Sequence, residues 1–444
     1  MLSFLWPGLG QWYRGRTRAG ILYALPVALA LGVVVVQVVA SGPESFVTDL
    51  ITPSLALTVF ILLALLGVWR LMSMADALGV GSAGFRSWRR AGPVAVFLAL
   101  AVVVVGVHVW IGSVTWAFYD AGSRIFVGDA NPDATPAGGG GATPNPSDPN
   151  VDFQATPFAT PPTASSRINV LITGIDSGHD RNHSLTDTLM LASIDPTTDK
   201  VALLSFPRDI SSFPLWDGRT FTGKINSLMT YSRLNPGEFP DGGGLPTLAK
   251  EIGYLAGVQV QYFASINLDG FERMINLVGG VDVVNPKPID DPMYDWFDGT
   301  RGFQLAAGPV HLNGRIGLAY VRSRYGAGDS DFTRAARQQQ VLAALRKKLT
   351  NPGVLVKLPE LLDAAASTIR TNFPTSRVDD MLSLAKGVED NDIRKIVLGP
   401  PYAIHPPTNT TGGIYTLRLE IDKVAALSIE LFGSDSRYAS SASQ

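Results

Sequence analysis

The sequence INVLITG at Ile168–Gly174 is followed by TLMLASI at Thr188–Ile194 and KVALLSF at Lys200–Phe206, and these three apolar runs decide the fold of the larger part of the chain. Each run is bounded by turn-forming residues, which is typical of buried strands. The connection DPTTD at Asp195–Asp199 is short enough to join the second and third runs as a hairpin. The three runs therefore predict the centre of a β-sheet.

Helical periodicity alternates with further strand-like runs along the rest of the sequence. Helices are predicted at Leu245–Ala256, Leu268–Val278, Phe332–Leu349, 351–367 and 375–388, and strands at Tyr262–Asn267, Val281–Val284, Ile393–Leu398 and Ile414–Leu419. Because strands and helices interleave, the expected fold class is α/β, with a mixed central sheet in a layered domain.

Three apolar segments precede this domain. They span Ala19–Ala40, Ser54–Met72 and Pro93–Gly112, and the mean hydropathy of the chain is +0.18. A segment of about 20 apolar residues is long enough to cross a bilayer, so three transmembrane helices are expected. The second segment has a shorter uncharged core, which ends at Arg70, and a buried hairpin is the alternative to a spanning helix there.

The arginines around these segments predict the orientation of the chain. They cluster before the first segment and between the second and third, at Arg14, Arg16, Arg18, Arg70, Arg86, Arg89 and Arg90. The loop between the first and second segments carries Glu44 and Asp49 instead. By the positive-inside rule, the N-terminus is cytoplasmic and the domain after the third segment is extracytoplasmic. The chain is therefore expected to be a multi-pass protein of the cell membrane, with the lipid bilayer as a partner.

Composition divides the chain into four parts. Residues 1–120 form the membrane region, 128–166 a linker rich in proline, glycine and threonine, 167–433 one folded domain, and 434–444 a disordered tail. With 36 basic and 38 acidic residues, nothing indicates a nucleic-acid partner. The absence of cysteine from the sequence excludes disulfides and thiolate metal sites.

The segment YVRSRYGAGDSDFTRAARQQQ at Tyr320–Gln340 concentrates arginine, aspartate and glutamine in a chain of which only 17% is charged. Arginine binds phosphate oxygens with two parallel donors, whereas lysine offers a point charge. The segment therefore indicates a phosphate-rich ligand. A solvated, salt-bridged helix is the alternative, and it explains most runs of charge.

The spacing within this segment indicates how its side chains meet. Arg322 and Arg324 are two residues apart and share a face only in an extended chain, so a strand or strand end is expected there. In the helix that follows, Arg334 and Gln338 are four apart and lie on neighbouring turns. One of the two aspartates in the segment would cap this helix or orient the arginines.

Polar residues also gather at the ends of the predicted strands. Asp176 follows the first strand, Asp187 precedes the second, and Arg208 and Asp209 follow the third. Strand ends are where α/β folds build their sites. A pair such as Asp187 and Asp209 can hold Mg²⁺ together with substrate phosphate, so Mg²⁺ is the expected cofactor. The alternative to a metal site is that these residues make only local contacts, with Asp187 capping a turn and Arg208 paired with Asp209.

The sequence GRTFTGK at Gly218–Lys224 matches the start of a nucleotide-binding phosphate loop. Ile225 follows where such a loop needs Ser or Thr for Mg²⁺, and Phe213–Asp217 is a poor candidate for the strand that should precede it. A nucleotide site is therefore rejected, and Lys224 is kept as a phosphate contact.

Several segments, in order, resemble the LytR-CpsA-Psr family of membrane-anchored cell-wall enzymes. Across about Ile168–Leu349 they are INVLITGID, TDTLMLASIDPTTDKVALLSFPRD, GKINSLMTYS, INLDGFERMINLVGGVDV and HLNGRIGLAYVRSRYGAGDSDFTRAARQQQVLAAL. The resemblance implies an α/β/α domain with an apolar pocket for a polyprenyl chain. It also implies the transfer of a phospho-glycopolymer from a polyprenyl-pyrophosphate carrier to peptidoglycan, with Mg²⁺.

The resemblance also implies the site residues. Asp187 and Asp209 correspond to metal-site carboxylates. The residues that bind or orient the pyrophosphate are Arg208, Lys224, Arg322, Arg324, Arg334 and Gln338, with Asp331 supporting the arginines and Arg233 a weaker candidate. The catalytic set is then Asp187, Arg208, Asp209, Arg322 and Arg324. Leu185 stands where the family commonly has an arginine, and Arg181 or His183 would have to substitute for it.

Two other functions stay open from the sequence. The same pocket could serve a non-catalytic polyprenyl-phosphate-binding sensor or scaffold of envelope assembly, or a polyprenyl-pyrophosphate hydrolase. Transfer needs chiefly neutralisation of charge on the pyrophosphate and alignment of a hydroxyl, which arginines with Mg²⁺ supply. Asp187, Asp209 and Asp331 are candidates for the general base, and a metal-bound arrangement would need none.

Overall fold

The computed structural model describes residues 2–78, 91–126, 167–176, 185–239, 243–296, 298–351, 353, 357–407 and 415–441. The chain divides into two compact units, Met1–Ser123 and Arg124–Gln444. The predicted linker at 128–166 lies outside the described residues, as do Arg181 and His183.

The first unit is helical. Its helices are α1 (Leu2–Leu5), α2 (Leu9–Tyr13), α3 (Thr17–Asp49), α4 (Pro53–Leu78) and α5 (Ala91–Ile125). Three stretches are long and apolar enough to cross a membrane: Thr17–Ala40, Pro53–Leu78 and Val94–Ile125. The second of these has 26 residues in one helix, or roughly 39 Å at 1.5 Å per residue, which exceeds the roughly 30 Å of a bilayer core. The alternative of a buried hairpin there is therefore wrong.

Polar contacts hold the short N-terminal helices against α4. The Gln11 amide on α2 donates to the carbonyl of Ser73 at 2.7 Å, and the Gly8 amide donates to the hydroxyl of the same serine at 3.0 Å. Arg16 forms an ion pair with Asp76 at 3.0 Å. Because Gln11 is fully buried, its hydrogen bonds fix the position of α2, as a buried amide requires.

The second unit contains all the described strands. They are β1 (Ile168–Asp176), β2 (Leu185–Asp195), β3 (Lys200–Ser205), β4 (Ser211–Pro214), β5 (Thr220–Lys224), β6 (Tyr262–Asn267), β7 (Val281–Asn285), β8 (Ile289–Asp295), β9 (Arg301–Leu305), β10 (Gly308–Leu312), β11 (Ile369–Thr371), β12 (Ile393–Val397), β13 (Ala403–Ile404) and β14 (Arg418–Leu419). Its helices are α6 (Ile225–Leu234), α7 (Leu245–Ala256), α8 (Leu268–Leu277), α9 (Gly314–Arg322), α10 (Asp331–Leu349), α11 (Leu358–Thr368), α12 (Val378–Gly387), α13 (Ile421–Phe432) and α14 (Arg437–Ser441).

Six of these strands form one mixed sheet in the order β11-β6-β1-β2-β3-β12. The pairs β1–β2 and β2–β3 are antiparallel, which confirms the predicted hairpin, whereas β6 and β12 run parallel to β1 and β3. Smaller antiparallel pairs are β4–β5, β7–β10, β8–β9 and β13–β14. The predicted α/β class with a mixed central sheet is confirmed.

Alternate residues of the central strands face two different helical layers. Leu189 and Leu191 pack with Leu228 of α6 and Leu248 of α7. Met190 instead packs with Leu342 of α10. This alternation is the period-2 pattern of a strand that is covered on both faces, and it gives three layers.

A bulge interrupts the pairing of β1 with β2. Gly174 is opposite Thr188 and Ile175 is opposite Thr186, so Asp187 is the extra residue on β2. A bulge re-aims the side chains beside it. Thr188 accordingly lines the cavity described below, while the hydroxyl of Thr186 donates to the carbonyl of Asn226 on α6 at 3.2 Å.

Three predictions about local structure are wrong. Arg322 ends helix α9, where a strand or strand end was expected. The segment Phe213–Asp217, predicted to be a poor strand, contributes to β4. The disordered tail expected from Ser434 is also incorrect up to Ser441, because a 3-10 turn at Gly433–Asp435 and helix α14 occupy this stretch.

Candidate active site

A cavity of about 460 Å³ lies between the central sheet and helices α8, α9 and α10. Most of its wall is apolar, from Ile172, Met190, Ile266, Phe271, Met274, Val321, Leu342 and Leu345. The β8–β9 hairpin adds Met293 and Tyr294. A wall of this composition accepts a hydrocarbon group at little desolvation cost.

Five predicted phosphate ligands line this one cavity. They are Arg208, Arg322, Arg324, Arg334 and Gln338. The structure brings these residues together from distant segments: the end of β3, the end of α9 and helix α10. Four guanidinium groups around an apolar cavity form a strongly anion-binding wall.

A buried carboxylate places Arg322 and Arg324 at the cavity. Asp291 of β8 is only 1% exposed. It accepts hydrogen bonds from the Ser323 hydroxyl at 2.8 Å and from the backbone amides of Arg324 and Tyr325 at 3.0 and 3.1 Å. These bonds fix the chain just after α9, where Ser323 turns from helical to extended backbone. The sequence analysis missed Asp291, because nothing around it in IDDPM distinguishes it from a loop aspartate.

The fourth arginine of the Tyr320–Gln340 segment has a structural role. Arg337 is buried, forms an ion pair with Asp329 at 3.2 Å, and donates to the carbonyl of Ser323. It therefore holds the N-terminal part of α10 against the end of α9. Gln339 is likewise structural, because its amide donates to Ser205 Oγ at 2.8 Å and to the Ile396 carbonyl at 2.9 Å.

Two carboxyl groups meet beside the arginines. The side chains of Asp209 and Asp331 lie within interaction distance of each other on either side of the Arg208 guanidinium, and we call them the carboxyl dyad. Arg208 Nε lies 3.6 Å from an oxygen of Asp209 and 3.8 Å from an oxygen of Asp331, and Arg334 forms an ion pair with Asp331 at 2.8 Å. Lys224 forms an ion pair with Asp209. The dyad thus joins Lys224 to two of the cavity arginines.

The surroundings shift the pKa values of the two carboxyl groups in opposite directions. Burial raises the pKa of Asp331 to about 6, and the hydrogen bond to Asp209 adds to this, while Arg334 and Arg208 offset part of it. Burial acts in the same direction on Asp209, but the hydrogen bond from Asp331 and the charges of Lys224 and Arg208 outweigh it, so the pKa of Asp209 is lowered. Asp331 is therefore the member that takes up a proton as the pH falls through about 6, while Asp209 stays negatively charged.

Two predicted residues are not brought to the cavity by any described contact. Arg233 lies in the last turn of α6, nine residues after Lys224, which is roughly 13 Å along a helix axis. Asp187 lies on β2 at the bulge, and its side chain is outside the described part of the structure. Lys224 precedes α6 at the end of the β4–β5 hairpin, which is not the geometry of a nucleotide loop, so the rejection of that site is confirmed.

The donor set of the dyad fits a hard cation. Both members offer carboxylate oxygens, the ligands that Mg²⁺ prefers, and a cation can take the place of a proton bound there. Within the described residues, no group of three or more His, Asp or Glu side chains is arranged for metal binding. Further ligands for an ion at this position would come from its substrate, as is common for Mg²⁺ in phosphate chemistry, or from side chains outside the described part of the structure.

Comparison with known proteins gives consistent matches for the second unit. A model of the LytR_cpsA_psr family matches residues 142–433. A polyisoprenyl-teichoic acid–peptidoglycan teichoic acid transferase TagU from Halalkalibacterium halodurans is 26% identical over 270 residues, which are 61% of this chain and 79% of that protein. The TagU of Oceanobacillus iheyensis is 28% identical over 225 residues, 50% of this chain and 64% of the relative. The TagV of Bacillus subtilis is 27% identical over 235 residues, 53% of this chain and 54% of the relative.

Solved structures are similar over the same part of the chain. The crystal structure of B. subtilis TagV matches with a TM-score of 0.47 and 22% identity, covering 60% of this chain and 97% of that one. The structure described as TagT bound to LIIa-WTA matches with a TM-score of 0.45 and 21% identity, covering 63% and 94%.

Proposed function

Because the chain belongs to the LytR_cpsA_psr family, we propose that it is a transferase that moves a phospho-glycopolymer from a polyprenyl-pyrophosphate carrier to a hydroxyl of peptidoglycan. The observation that carries this proposal is one apolar cavity of about 460 Å³ with four arginines in its wall. The apolar surface suits the polyprenyl chain, and the guanidinium groups suit the pyrophosphate. The names of the curated relatives, which are teichoic acid transferases, support the same class of reaction.

The arginines supply the electrostatic part of the reaction. In transfer, the acceptor oxygen bonds to the phosphorus that carries the glycan, and the bond from that phosphorus to the bridging oxygen breaks. Polyprenyl phosphate leaves with the electron pair, so negative charge grows on its oxygens. Arg208 and Arg334 are held by ion pairs with the dyad, and preorganised charges of this kind stabilise a transition state without reorganising.

The dyad is our candidate for the group that takes the acceptor proton. Asp331, whose pKa is raised to about 6, is ionised in most molecules at pH 7 and is a stronger base than an ordinary carboxylate. The hydroxyl proton passes to the dyad as the new oxygen–phosphorus bond forms. Asp209 lies at the same position and keeps its charge through Lys224.

We also propose Mg²⁺ at this end of the cavity, held by Asp209 with Asp187, which leaves Asp331 to take the acceptor proton. Hydrogen bonds place the backbone of Asp187 near Arg208 and Asp209. The hydroxyl of Thr186, the preceding residue, donates to the carbonyl of Asn226 at 3.2 Å, and the backbone amide of Asn226 donates to the carbonyl of Arg208 at 3.4 Å. A bound Mg²⁺ would neutralise charge that develops on the pyrophosphate. Titration calorimetry with MgCl₂ tests this: Asp209→Asn should weaken Mg²⁺ binding, and unchanged binding would contradict the assignment.

The full chain in detergent or nanodiscs allows a direct test of the activity. With Mg²⁺, a polyprenyl-pyrophosphate-linked glycan and a peptidoglycan fragment, we expect release of polyprenyl phosphate only when the fragment is present. Release that does not need the fragment would identify a hydrolase, and donor binding without release would identify a sensor or scaffold. Either of those two results would overturn the proposed transferase.

A pair of arginine variants tests the cavity itself. Arg334→Ala should weaken donor binding on the order of 10- to 100-fold, because one charge-assisted contact is lost. Arg394→Ala is the matched control, since Arg394 is exposed and pairs only with the exposed Glu430 at 2.7 Å among the contacts described for it. Equal donor affinities in the two variants would place the pyrophosphate elsewhere.

A further inference from the structure

An exposed aromatic pair stands near the carboxyl dyad. The rings of His405 and Tyr415 pack edge to face, with centroids 4.2 Å apart and planes at 72°. Tyr415 is 47% exposed, and His405 is exposed as well. Large aromatic surface is usually buried in a soluble domain, so a ring that is held in place and left open is available for a ligand.

The backbone ties this pair to the dyad. The Leu417 amide donates to the carbonyl of Asp209 at 2.9 Å, and the Ser211 amide donates to the carbonyl of Leu417 at 2.9 Å. Leu417 is fully buried in the core, so Tyr415 lies two residues from a fixed point beside Asp209. Burial raises the pKa of Tyr415, and the charges of Asp331 and Asp209 raise it further, which agrees with the placement given by the backbone.

The aromatic pair does not line the donor cavity. Arg208 and Arg334 contact the dyad and line the cavity, whereas Tyr415 and His405 are not part of the cavity wall. The dyad therefore contacts the cavity arginines through its side chains, and the segment that carries Tyr415 through the backbone of Asp209. A transfer reaction needs this arrangement, because the acceptor must reach the phosphorus without entering the space that the donor's chain fills.

The chemistry of the pair favours a saccharide over a second phosphate. The charges of Asp331 and Asp209 act on Tyr415 in the direction that disfavours a second negative charge there, and the cation nearest to it in sequence, Arg418, is paired with Glu420 at 2.9 Å. An aromatic face packs against the C–H face of a sugar ring, and a phenol offers a hydrogen bond to its hydroxyls. The expected ligand is thus an uncharged part of the glycan acceptor.

We propose that Tyr415, braced by His405, is a positioning residue that binds the acceptor saccharide and directs its hydroxyl to the dyad. This inference rests on the proposed function, because only a transferase has an acceptor. It assigns to the acceptor a surface separate from the donor cavity.

Steady-state kinetics of the full chain in detergent separate the two substrates. At saturating donor, Tyr415→Ala should raise the KM for a peptidoglycan fragment about 3- to 10-fold, because an aromatic contact of this kind contributes about 0.5–1.5 kcal/mol. Tyr415→Phe keeps the ring and should have a KM closer to that of the unaltered chain. Arg324→Ala is the opposite control and should weaken donor binding with little change in the acceptor KM. An acceptor KM unchanged by Tyr415→Ala, or a loss confined to donor affinity, would overturn the inference.

A binding measurement distinguishes failure of this inference from failure of the proposed function. Saturation-transfer NMR with an N-acetylglucosamine oligosaccharide and the full chain needs no catalysis. A signal that Tyr415→Ala abolishes supports the acceptor surface even if no transfer is detected. Transfer that proceeds normally in Tyr415→Ala, with the oligosaccharide signal intact, would leave the transferase standing and remove Tyr415 from it.

Discussion

Asp331 is the residue whose surroundings most directly set the pH dependence of the site. Burial raises its pKa to about 6, Asp209 adds to this shift, and Arg334 offsets part of it. Burial acts in the same direction on Asp209, but Asp331, Lys224 and Arg208 together lower its pKa, so Asp209 is the weaker base of the two. A carboxyl group that changes charge near neutral pH suits proton transfer better than an ordinary aspartate does.

The rate of transfer should therefore fall as the pH is lowered through about 6, because Asp331 is then protonated and the dyad accepts no further proton. Asp331→Asn keeps the shape of the side chain but does not titrate, so its lower rate should be independent of pH in this range. The measurement is a pH–rate profile from pH 5 to 8 at saturating donor. If the acid limb persists unchanged in Asp331→Asn, another group is the base.

A second buried carboxyl group predicts how stability depends on pH. Glu251 on α7 is 0% exposed. Burial raises its pKa to about 8, and the Trp216 amide and Arg437 offset only part of that effect. In the unfolded chain this glutamate loses its proton near its ordinary pKa of about 4.3, whereas in the folded protein it keeps the proton up to about pH 8. The free energy of unfolding should thus decrease as the pH rises from about 4.5 to about 8.

Glu251→Gln removes this titration and should flatten the dependence of Tm on pH, giving a higher Tm than the unaltered chain at pH 8. Glu430→Gln is the control, since the Glu430 side chain is 57% exposed, and it should leave the dependence unchanged. Calorimetric scans between pH 5 and 8.5 provide the comparison. Parallel curves for Glu251→Gln and the unaltered chain would show that Glu251 does not titrate in this window.

The sequence predicted the arginines of the cavity wall better than it predicted the buried residues that hold them in place. Arg324 and Arg334 were predictable as cavity residues, because arginine without lysine in one segment indicates a phosphate-rich ligand, and Arg208 because it follows a predicted strand. Asp291 and Arg337 were not assigned, since their roles depend on hydrogen bonds to the turn after α9, and such bonds between distant segments leave no periodic pattern. A supporting residue is specified by tertiary contacts, and one sequence alone does not contain them.

At the scale of helices and strands, predictions succeeded where one periodicity dominates a segment. The apolar runs of β1, β2 and β3 and the long amphipathic pattern of α10 belong to this class. Helix α9 was missed because the spacing of Arg322 and Arg324 suggested an extended chain. In the structure Arg322 is the last residue of the helix, and Arg324 follows the single extended residue Ser323. Such a segment contains a short helical pattern and, at its end, a two-residue spacing of side chains that resembles a strand, so neither pattern dominates.

The C-terminal helix α14 acts as a cover over the end of α7. The Arg437 amide donates to the carbonyl of Gly257 at 2.8 Å, and its guanidinium stacks over the Tyr254 ring at 3.8 Å. The Tyr438 hydroxyl donates to the carbonyl of Leu255 at 3.1 Å. These contacts satisfy carbonyl groups at the end of α7 that no helical bond can reach.

Removing residues 436–444 should lower the Tm of the full chain by several degrees, since about 1–2 kcal/mol of contacts is lost and each kcal/mol corresponds to roughly 2–4 °C in a domain of this size. Removing only 442–444 is the control and should leave Tm unchanged. Donor binding should persist in both, because α14 does not line the cavity. Equal Tm values for the two truncations would show that α14 contributes nothing to stability.

At the scale of the whole molecule, the two compact units have opposite surface chemistry. The helices of the first unit expose apolar side chains such as Val36, Leu62 and Val102. In the second unit, apolar residues pack in core clusters on both faces of the sheet. This difference was predictable from the sequence. Runs of about 20 apolar residues suit a lipid bilayer, whereas short apolar strands interleaved with amphipathic helices suit a domain folded in water. Which side of a membrane each unit occupies is a separate prediction from the arginine pattern.

That prediction can be tested cleanly because the chain contains no cysteine, so any thiol introduced is the only target for a maleimide. Ser434→Cys places a thiol at an exposed position of the second unit, and Ser87→Cys places one among the arginines between the second and third apolar segments. If those arginines are cytoplasmic, a membrane-impermeant maleimide should label Ser434→Cys on intact cells and Ser87→Cys only after permeabilisation. The unaltered chain should not be labelled under either condition. The reverse pattern would put the arginine wall of the cavity on the cytoplasmic side, where a peptidoglycan hydroxyl is not within reach, and would contradict both the orientation and the proposed reaction.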